Sequence, residues 1–315
     1  MARAAKRQKT TTTSGCEDGD DSSVTILSWN VNGIRAALKK SEGKFERIIA
    51  EENPDVICLQ ETKIDESLVG QFADLLPGYK QHWSCCTTKK GYSGTALFSK
   101  MEPPDVSFAF EGAKQSQKEG RIITAEYPWG FLVNTYVPNS GLKLDRLDYR
   151  TSTWDKQLRE HLRALEEKRP NCRVVWTGDL NVAHRDQDVM DPKKKRNKVP
   201  GFCDAERENF GEIVGGDGPI SDEDRAKRTN LIGRPGSSDT SIGFSDAWLQ
   251  AGHGDEEGYT FWSYRFKAFE KNNGWRLDYF VLSKAMQKCL KGVTRRKDAF
   301  GISDHIPIIS KYSVP

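Results

Sequence analysis

Five short segments carry the side chains able to do chemistry. They are Ser28-Trp29-Asn30-Val31-Asn32-Gly33-Ile34-Arg35, Cys58-Leu59-Gln60-Glu61-Thr62-Lys63, Trp176-Thr177-Gly178-Asp179-Leu180-Asn181-Val182-Ala183-His184, Gly274-Trp275-Arg276-Leu277-Asp278-Tyr279-Phe280 and Gly301-Ile302-Ser303-Asp304-His305-Ile306-Pro307. In each, polar groups sit at the end of an apolar run, and the active sites of α/β proteins collect on such loops. Singly they read plainly: Asn30 or Asn32 closes a turn, Asp179 caps a helix, Asp304-His305 is a surface ion pair. As a set, Glu61, Asp179-x-Asn181 and Asp304-His305 supply oxygen ligands, a base and a histidine. Hard oxygen ligands in this number suit magnesium, with manganese as a substitute, rather than zinc.

Strands must present these residues. Apolar runs recur at Val24 to Trp29, Val56 to Leu59, Thr95 to Phe98, Ile122 to Tyr127, Phe131 to Val137, Val174 to Thr177, Leu277 to Leu282 and Ile306 to Ser310. Phe45, Ile48 and Ile49 share one face of a helix from about Lys44 to Glu52, which stops before Asn53-Pro54. Leu147 through Leu165 repeats apolar residues at helical spacing and ends before Pro170. Several strands are consecutive, so the class is α/β with mixed or mostly antiparallel sheets. No internal repeat is visible.

Composition is consistent with this class. The chain has 315 residues, 36% hydrophobic and 30% charged, with a net charge of +3. No apolar run approaches the roughly 20 residues of a membrane helix, and the basic start lacks the apolar stretch of a secretory signal. Seven cysteines, an odd number without a CxxC pair, read as reduced thiols. Residues 1–23 read as a disordered tail, basic and then acidic, preceding a catalytic domain over 24–315. Lys6-Arg7-Gln8-Lys9 is either a nuclear-import signal or a solvated end. The stretch from about Gly215 to Gly243 reads as a surface insertion with a short helical turn near Glu223 to Arg228. Lys193, Lys194 and Lys195, within Pro192 to Lys198, have three readings: phosphate contact, nuclear import, or a solvated charge run.

The segments SWNVNGIRA, LQETK, GYSGTALFS, NTYVPNSG, TGDLNVAH, YTFWSYR, GWRLDYF and SDHIPI, in this order, resemble the exonuclease III-type apurinic/apyrimidinic endonucleases of the endonuclease/exonuclease/phosphatase superfamily. The resemblance runs from about Val24 to Tyr312. It implies a four-layer α/β sandwich, two sheets face to face with helices outside. It also implies hydrolysis of the DNA backbone 5′ to abasic sites, with some 3′-exonuclease activity, in base excision repair. The implied partner is double-stranded DNA with abasic sites, and the implied location is the nucleus, with the cytoplasm second. The expected state is a monomer, without membrane association.

Residue by residue, the resemblance makes Glu61 the principal magnesium ligand, with Asp304 near the metal. Asn32 falls where animal relatives often have aspartate. Asn32, Asp179, Asn181, Asp304 and His305 are the further expected metal ligands, with Asp179 and Asn181 at the scissile phosphate, where a second metal has been proposed. Asp179 is expected to orient or deprotonate the water. His305, paired with Asp278, is expected to stabilise phosphate oxygens. Asn181, Asn139 and Tyr136 are expected to hydrogen-bond the phosphate. Phe261, Trp275 and Leu277 match an apolar pocket for a flipped-out abasic sugar. Arg35, Lys63, Gly91, Tyr92, Arg150 and Arg265 are expected on the DNA backbone or groove. Arg265 and Leu142 depart from the wedge residues of some relatives. The rival readings are another phosphodiesterase or phosphatase of the superfamily, or a non-catalytic DNA-binding protein on the same scaffold.

Overall fold

A computed structural model describes residues 22–110, 118–215 and 242–314. Most of the expected tail and insertion therefore lies outside the described residues, including Lys6 to Lys9 and the turn near Glu223. Twelve strands form two six-stranded sheets. The first contains β1 (Ser22–Asn30), β2 (Val56–Gln60), β3 (Lys80–Ser84), β4 (Thr95–Ser99), β11 (Leu290–Arg295) and β12 (Ile308–Val314), in the order β11-β12-β1-β2-β4-β3. The second contains β5 (Asp105–Ser107), β6 (Ile122–Tyr127), β7 (Gly130–Tyr136), β8 (Val174–Asp179), β9 (Ser245–Asp246) and β10 (Asp278–Leu282), in the order β5-β6-β7-β8-β10-β9.

Only β1–β2 and β7–β8 pair in parallel; the other neighbours are antiparallel. Both sheets thus place one parallel pair at their centre, a likeness with no counterpart in the sequence as a repeat.

The strands read as continuous apolar runs because both of their faces are covered. On β1, Ile26 points between the sheets while Leu27 and Trp29 point outward. On β8, Val175 points inward while Val174 and Trp176 point outward. The outer face of the first sheet packs against α1 (Ile34–Ser41) and α2 (Lys44–Glu52), through Ile34, Ala37, Phe45, Ile48 and Ile49. The outer face of the second packs against α3 (Asp155–Glu167) and α4 (Asp204–Val214), through Leu158, Leu162, Leu165, Phe210 and Ile213. These are the four layers of an α/β sandwich.

The α2 bounds match the sequence expectation. The helix expected from Leu147 begins there: Leu147 and Asp148 are helical, a π-turn follows over Tyr149–Trp154, and the helix is regular from Asp155. The first strand starts at Ser22, inside the expected tail.

A polar bridge joins the sheets inside the core. Gln60 Nε2 on β2 donates to Asn134 Oδ1 on β7 (2.8 Å) and to Ser28 Oγ on β1 (3.0 Å). Asn134 Nδ2 returns to the carbonyls of Leu59 (3.3 Å) and Ala96 (3.0 Å). A buried amide loses much if its bonds are broken, so this bridge admits few alternative registers between the sheets. Gly178 permits the close approach of β7 and β8: its φ is +137°, and a Cβ there would lie 1.9 Å from the Thr135 carbonyl oxygen.

Candidate active site

The central parallel pairs end side by side, so loops from both sheets converge. Asn30 ends β1 and Asn32 follows it, Glu61 follows β2, Tyr136 ends β7 with Asn139 beyond it, and Asp179 ends β8 with Asn181 beyond it. Ligand sites of α/β sheets lie at such carboxyl ends. The backbone there is held in the left-handed region at non-glycine residues: φ is 46° at Asn32, 50° at Glu61, 52° at Lys63 and 48° at Asn181. Asparagine tolerates this conformation, whereas Glu61 and Lys63 adopt it only because the surrounding bonds impose it. Gly33 N donates to the Glu61 carbonyl (2.7 Å), and Lys63 N to that of Ser93 (2.9 Å).

Asn30 is the centre of this arrangement. Fully buried, it donates from Nδ2 to Glu61 Oε1 (3.0 Å) and to Asp179 Oδ2 (2.8 Å), one carboxylate from each sheet. Its Oδ1 accepts from Asn32 N (2.9 Å). The sequence reading of Asn30 as a turn residue describes only that last bond. Asn32 Nδ2 donates to Asp304 Oδ1 (2.9 Å). Lys63 Nζ lies 2.8 Å from Glu61 Oε2 and also donates to Asn32 Oδ1. Burial opposes ionisation of Glu61, but Lys63, Asn30 and the charge of His305 together hold its carboxyl below the ordinary range.

His305 is clamped from the other side. Its Nδ1 meets Asp278 Oδ2 at 2.8 Å, and its Nε2 faces Asp179 Oδ2 at 3.9 Å. Thr260 fixes Asp278 by donating to the same Oδ2 (2.6 Å) while accepting the backbone N–H of Leu277 (3.1 Å) and of Asp278 (3.2 Å). Ser303 donates to the Asn30 carbonyl (2.7 Å), and Trp29 Nε1 to the His305 carbonyl (3.0 Å), which locks the loop onto β1. Burial disfavours the imidazolium, yet the carboxylates of Asp278 and Asp179 outweigh it and raise the His305 pKa. Asp179 moves up as well, because burial and the neighbouring carboxylates outweigh His305.

Asp179, Asp278 and His305 lie close enough together to share an ion. Asp278 Oδ2 is engaged with His305 Nδ1 at 2.8 Å, while Asp278 Oδ1 is buried without a hydrogen-bond partner. Glu61, Asn32 and Asp304 form a second, oxygen-rich group that could hold a divalent cation. It already holds one cation, the Lys63 ammonium, and its donors are hard oxygens.

The phosphate-side residues form a chain. Asn181 N and Nδ2 donate to Asp179 Oδ1 (3.0 Å) and the Val137 carbonyl (2.9 Å). Asn139 Nδ2 donates to Asn181 Oδ1 (2.9 Å). The Tyr136 hydroxyl faces Glu61; burial first, and then that carboxylate, raise its pKa. The Arg121 guanidinium stacks on the Tyr136 ring at 4.7 Å and donates to Tyr92 Oη (2.8 Å).

Phe261, Trp275 and Leu277 do come together. Phe261 and Trp275 are bridged backbone to backbone, and both pack on buried Leu277 with Val189 and Phe202. The Phe261 ring sits 4.8 Å from that of His305. Phe202, not singled out in the sequence, meets Trp275 edge-on at 6.3 Å; nothing in its local spacing marks it.

The expected DNA contacts divide. Arg35, Gly91, Arg265, Lys193 and Lys194 are exposed. Lys195 lies over the Trp275 ring at 4.8 Å. The Tyr92 hydroxyl is taken by Arg121 and Arg146. Lys63 belongs to the carboxylate cluster rather than to the outer surface. Arg150 is a correction: it is 3% exposed, and its guanidinium is spent on Asp155 (2.9 Å) and the Leu180 carbonyl (3.0 Å), so it braces the β8 loop from within.

With this geometry in view, the class is plain: residues 27–305 match the Endonuclease/Exonuclease/phosphatase family, and the chain belongs to it. The family is a group of divalent-metal-dependent nucleases. Within it, the chain is 40% identical over 293 residues to the DNA repair nuclease APEX1 of Danio rerio, covering 93% of this chain and 83% of that protein. It is 38% identical over 286 residues to an exodeoxyribonuclease of Bacillus subtilis, covering 90% and 98%. The fold superposes on the AP endonuclease of Leishmania major with a TM-score of 0.73 at 29% identity, covering 93% and 88%. No helix among the described residues is long and apolar enough to cross a membrane.

Proposed function

We propose that this chain is a magnesium-dependent DNA repair endonuclease that hydrolyses the phosphodiester 5′ to an abasic site, leaving a 3′-hydroxyl and a 5′-deoxyribose phosphate, with 3′-exonuclease action as a lesser activity of the same site. One observation carries the reading. The His305 ring, held by Asp278 and facing Asp179, also borders the apolar wall begun by Phe261 at 4.8 Å. A phosphate at the histidine would thus lie beside an apolar recess.

Asp179, its pKa raised by burial, can accept a proton from water attacking phosphorus near neutral pH. His305 stays protonated and offers its charge to the nonbridging oxygens. Asn181 and Asn139 are pre-oriented by their mutual bond, and the Tyr136 hydroxyl adds a third donor. Glu61, Asn32 and Asp304 would hold the magnesium, whose chemistry there is to offset charge on the departing 3′ oxygen.

Phe261, Trp275, Leu277, Phe202 and Val189 select a sugar without a base by size. Arg35, Gly91, Arg265, Lys193 and Lys194 contribute sequence-independent phosphate contacts. Leu142 and Phe266, 89% and 85% exposed, are apolar side chains suited to entering a groove. The basic runs of the sequence fit a nuclear location. The chain works as a monomer in this reading.

The test is cleavage of a duplex carrying one abasic-site analogue, with magnesium and with chelator, beside an undamaged duplex. A single magnesium-dependent nick 5′ to the lesion is expected, and Asp179→Asn should lower the rate by about 10²–10⁴-fold. A folded protein that leaves the lesion intact sinks the proposal.

A further inference from the structure

Arg276 stands in the sequence between Trp275 and Leu277, yet its side chain runs away from them. It is 2% exposed and enters a compact group of charges. Nε and Nη2 donate to Asp188 Oδ1 and Oδ2, each at 3.0 Å. Nη2 also lies 2.7 Å from Asp246 Oδ2, and the guanidinium stacks on Tyr279 at 4.3 Å. Arg185 adds a second cation, its Nη2 3.1 Å from Asp188 Oδ1.

The two carboxylates belong to different segments. Asp188 precedes Val189, which bridges Trp275, and the Asp188 carbonyl accepts the Arg276 N–H at 2.8 Å. Asp246 ends the edge strand β9 and caps the following helical turn at Trp248 N (3.0 Å). Gly258 lies over the arginine stem, where a Cβ would come within 2.6 Å of Arg276 Cδ; three residues later the chain reaches Phe261. Tyr279 Oη, beneath the guanidinium, donates its one proton to the Val182 carbonyl (2.8 Å), with the Arg276 carbonyl at 3.0 Å as the other acceptor in reach.

We propose that Arg276 is a positioning residue for substrate selection: through the buried Asp188–Arg276–Asp246 triad it sets the separation of Phe261, Trp275 and Leu277. This rests on the reading of that trio as the abasic-sugar recess. A buried ion triad adds little stability over well-packed apolar side chains. A planar fork bonded to two carboxylates does fix the relative position of three backbone segments, which apolar packing does less strictly. Arg276 first and then Arg185 hold the buried Asp188 carboxyl below its ordinary range. Arg276 touches neither DNA nor the reacting atoms; its effect passes through its two neighbours and the loop over its stem.

The experiment compares two substrates of the full chain: a duplex with a single abasic analogue, and a recessed duplex with a matched 3′ terminus. The quantity read is the ratio of their kcat/KM values for the wild type, Arg276→Lys and Asp246→Asn. Lysine keeps the charge but cannot span both carboxylates. Its ratio should fall by about tenfold, the scale of a misfitted apolar recess, with a smaller fall for Asp246→Asn. A purely structural role lowers the folded fraction and scales both rates together, leaving the ratio unchanged. Ratios within twofold of wild type in both variants, with abasic cleavage by the wild type intact, overturn the positioning role alone. A wild type without preference for the abasic duplex overturns the function and this role together. Should Arg276→Lys fail to fold, Asp246→Asn, which keeps the bidentate Asp188 pair, decides the matter.

Discussion

Asn30→Ala is the perturbation that most directly tests how the two sheets make one site. The amide donates both its protons to carboxylates, Glu61 at 3.0 Å and Asp179 at 2.8 Å, and it is fully buried. Hydrogen bonds to charged groups are worth about 1.5–3 kcal/mol each. If the loss of one such bond lets Asp179 drift from its place in the transition state, kcat falls by roughly 10- to 150-fold, at 1.36 kcal/mol per decade. KM should stay near the wild-type value, because Asn30 lies behind the carboxylates. Stability should drop by about 2–4 kcal/mol, less than two full bonds, since water entering the space left by the side chain solvates the freed oxygens. Steady-state nicking of the abasic duplex and urea unfolding give the two numbers. A folded variant with kcat within twofold of wild type would refute the reasoning, because Asp179 would then be placed without its amide partner.

Two further outcomes follow from buried groups. Arg150→Ala should lower stability by about 3–5 kcal/mol, the cost of leaving the buried Asp155 carboxylate unpaired, without changing the salt dependence of DNA binding; a shallower salt slope would show that Arg150 reaches phosphate after all. His161 bonds Thr124 at 2.9 Å and packs on Phe110, and burial lowers its pKa to about 4. The folded state resists a proton that the unfolded chain accepts, so this stability is fully present above the unfolded value of about 6.5 and is lost as pH falls toward 4. At 1.36 kcal/mol per unit the loss is about 2–3 kcal/mol; His161→Gln should remove that share of the slope in urea midpoints between pH 7 and 4, while buried His184, its pKa lowered by burial, acts in the same direction.

What the sequence showed depended on burial. The strands covered on both faces, such as β2 and β8, stand out as apolar runs, and their polar endings marked Glu61 and Asp179. The edge strands did not stand out: β3 reads Lys-Gln-His-Trp-Ser and β11 reads Leu-Lys-Gly-Val-Thr-Arg, half-exposed sequences without an apolar run. The helix α4 was hidden for a related reason. Its buried residues include Asp204, Glu206 and Arg207, which satisfy one another and their neighbours rather than following an apolar stripe. Site residues that act through long-range partners were the least visible. Arg150 looks from its type like a phosphate contact, and only its place under the β8 loop shows otherwise. Thr260 and Phe202 have no local feature to distinguish them from core residues.

The same separation in sequence explains why the site depends on the whole fold. Asn30 and Asp179 are 149 positions apart, and Asn32 and Asp304 are 272 apart. The second pair needs β12 beside β1 in the first sheet, and the first cannot form until the two sheets lie against each other, a contact that the Gln60–Asn134 bridge also spans. A change there acts on the carboxylates by shifting one sheet against the other. Breaking the bridge leaves two buried amides short of partners, so it costs stability first. It then lets Glu61, carried by the first sheet, move relative to Asp179, carried by the second, although neither residue has been altered. Misplacements of about 1 Å at reacting groups cost on the order of 10²-fold in rate. The cation-holding side and the proton-accepting side therefore stay matched only while the sheets keep their register.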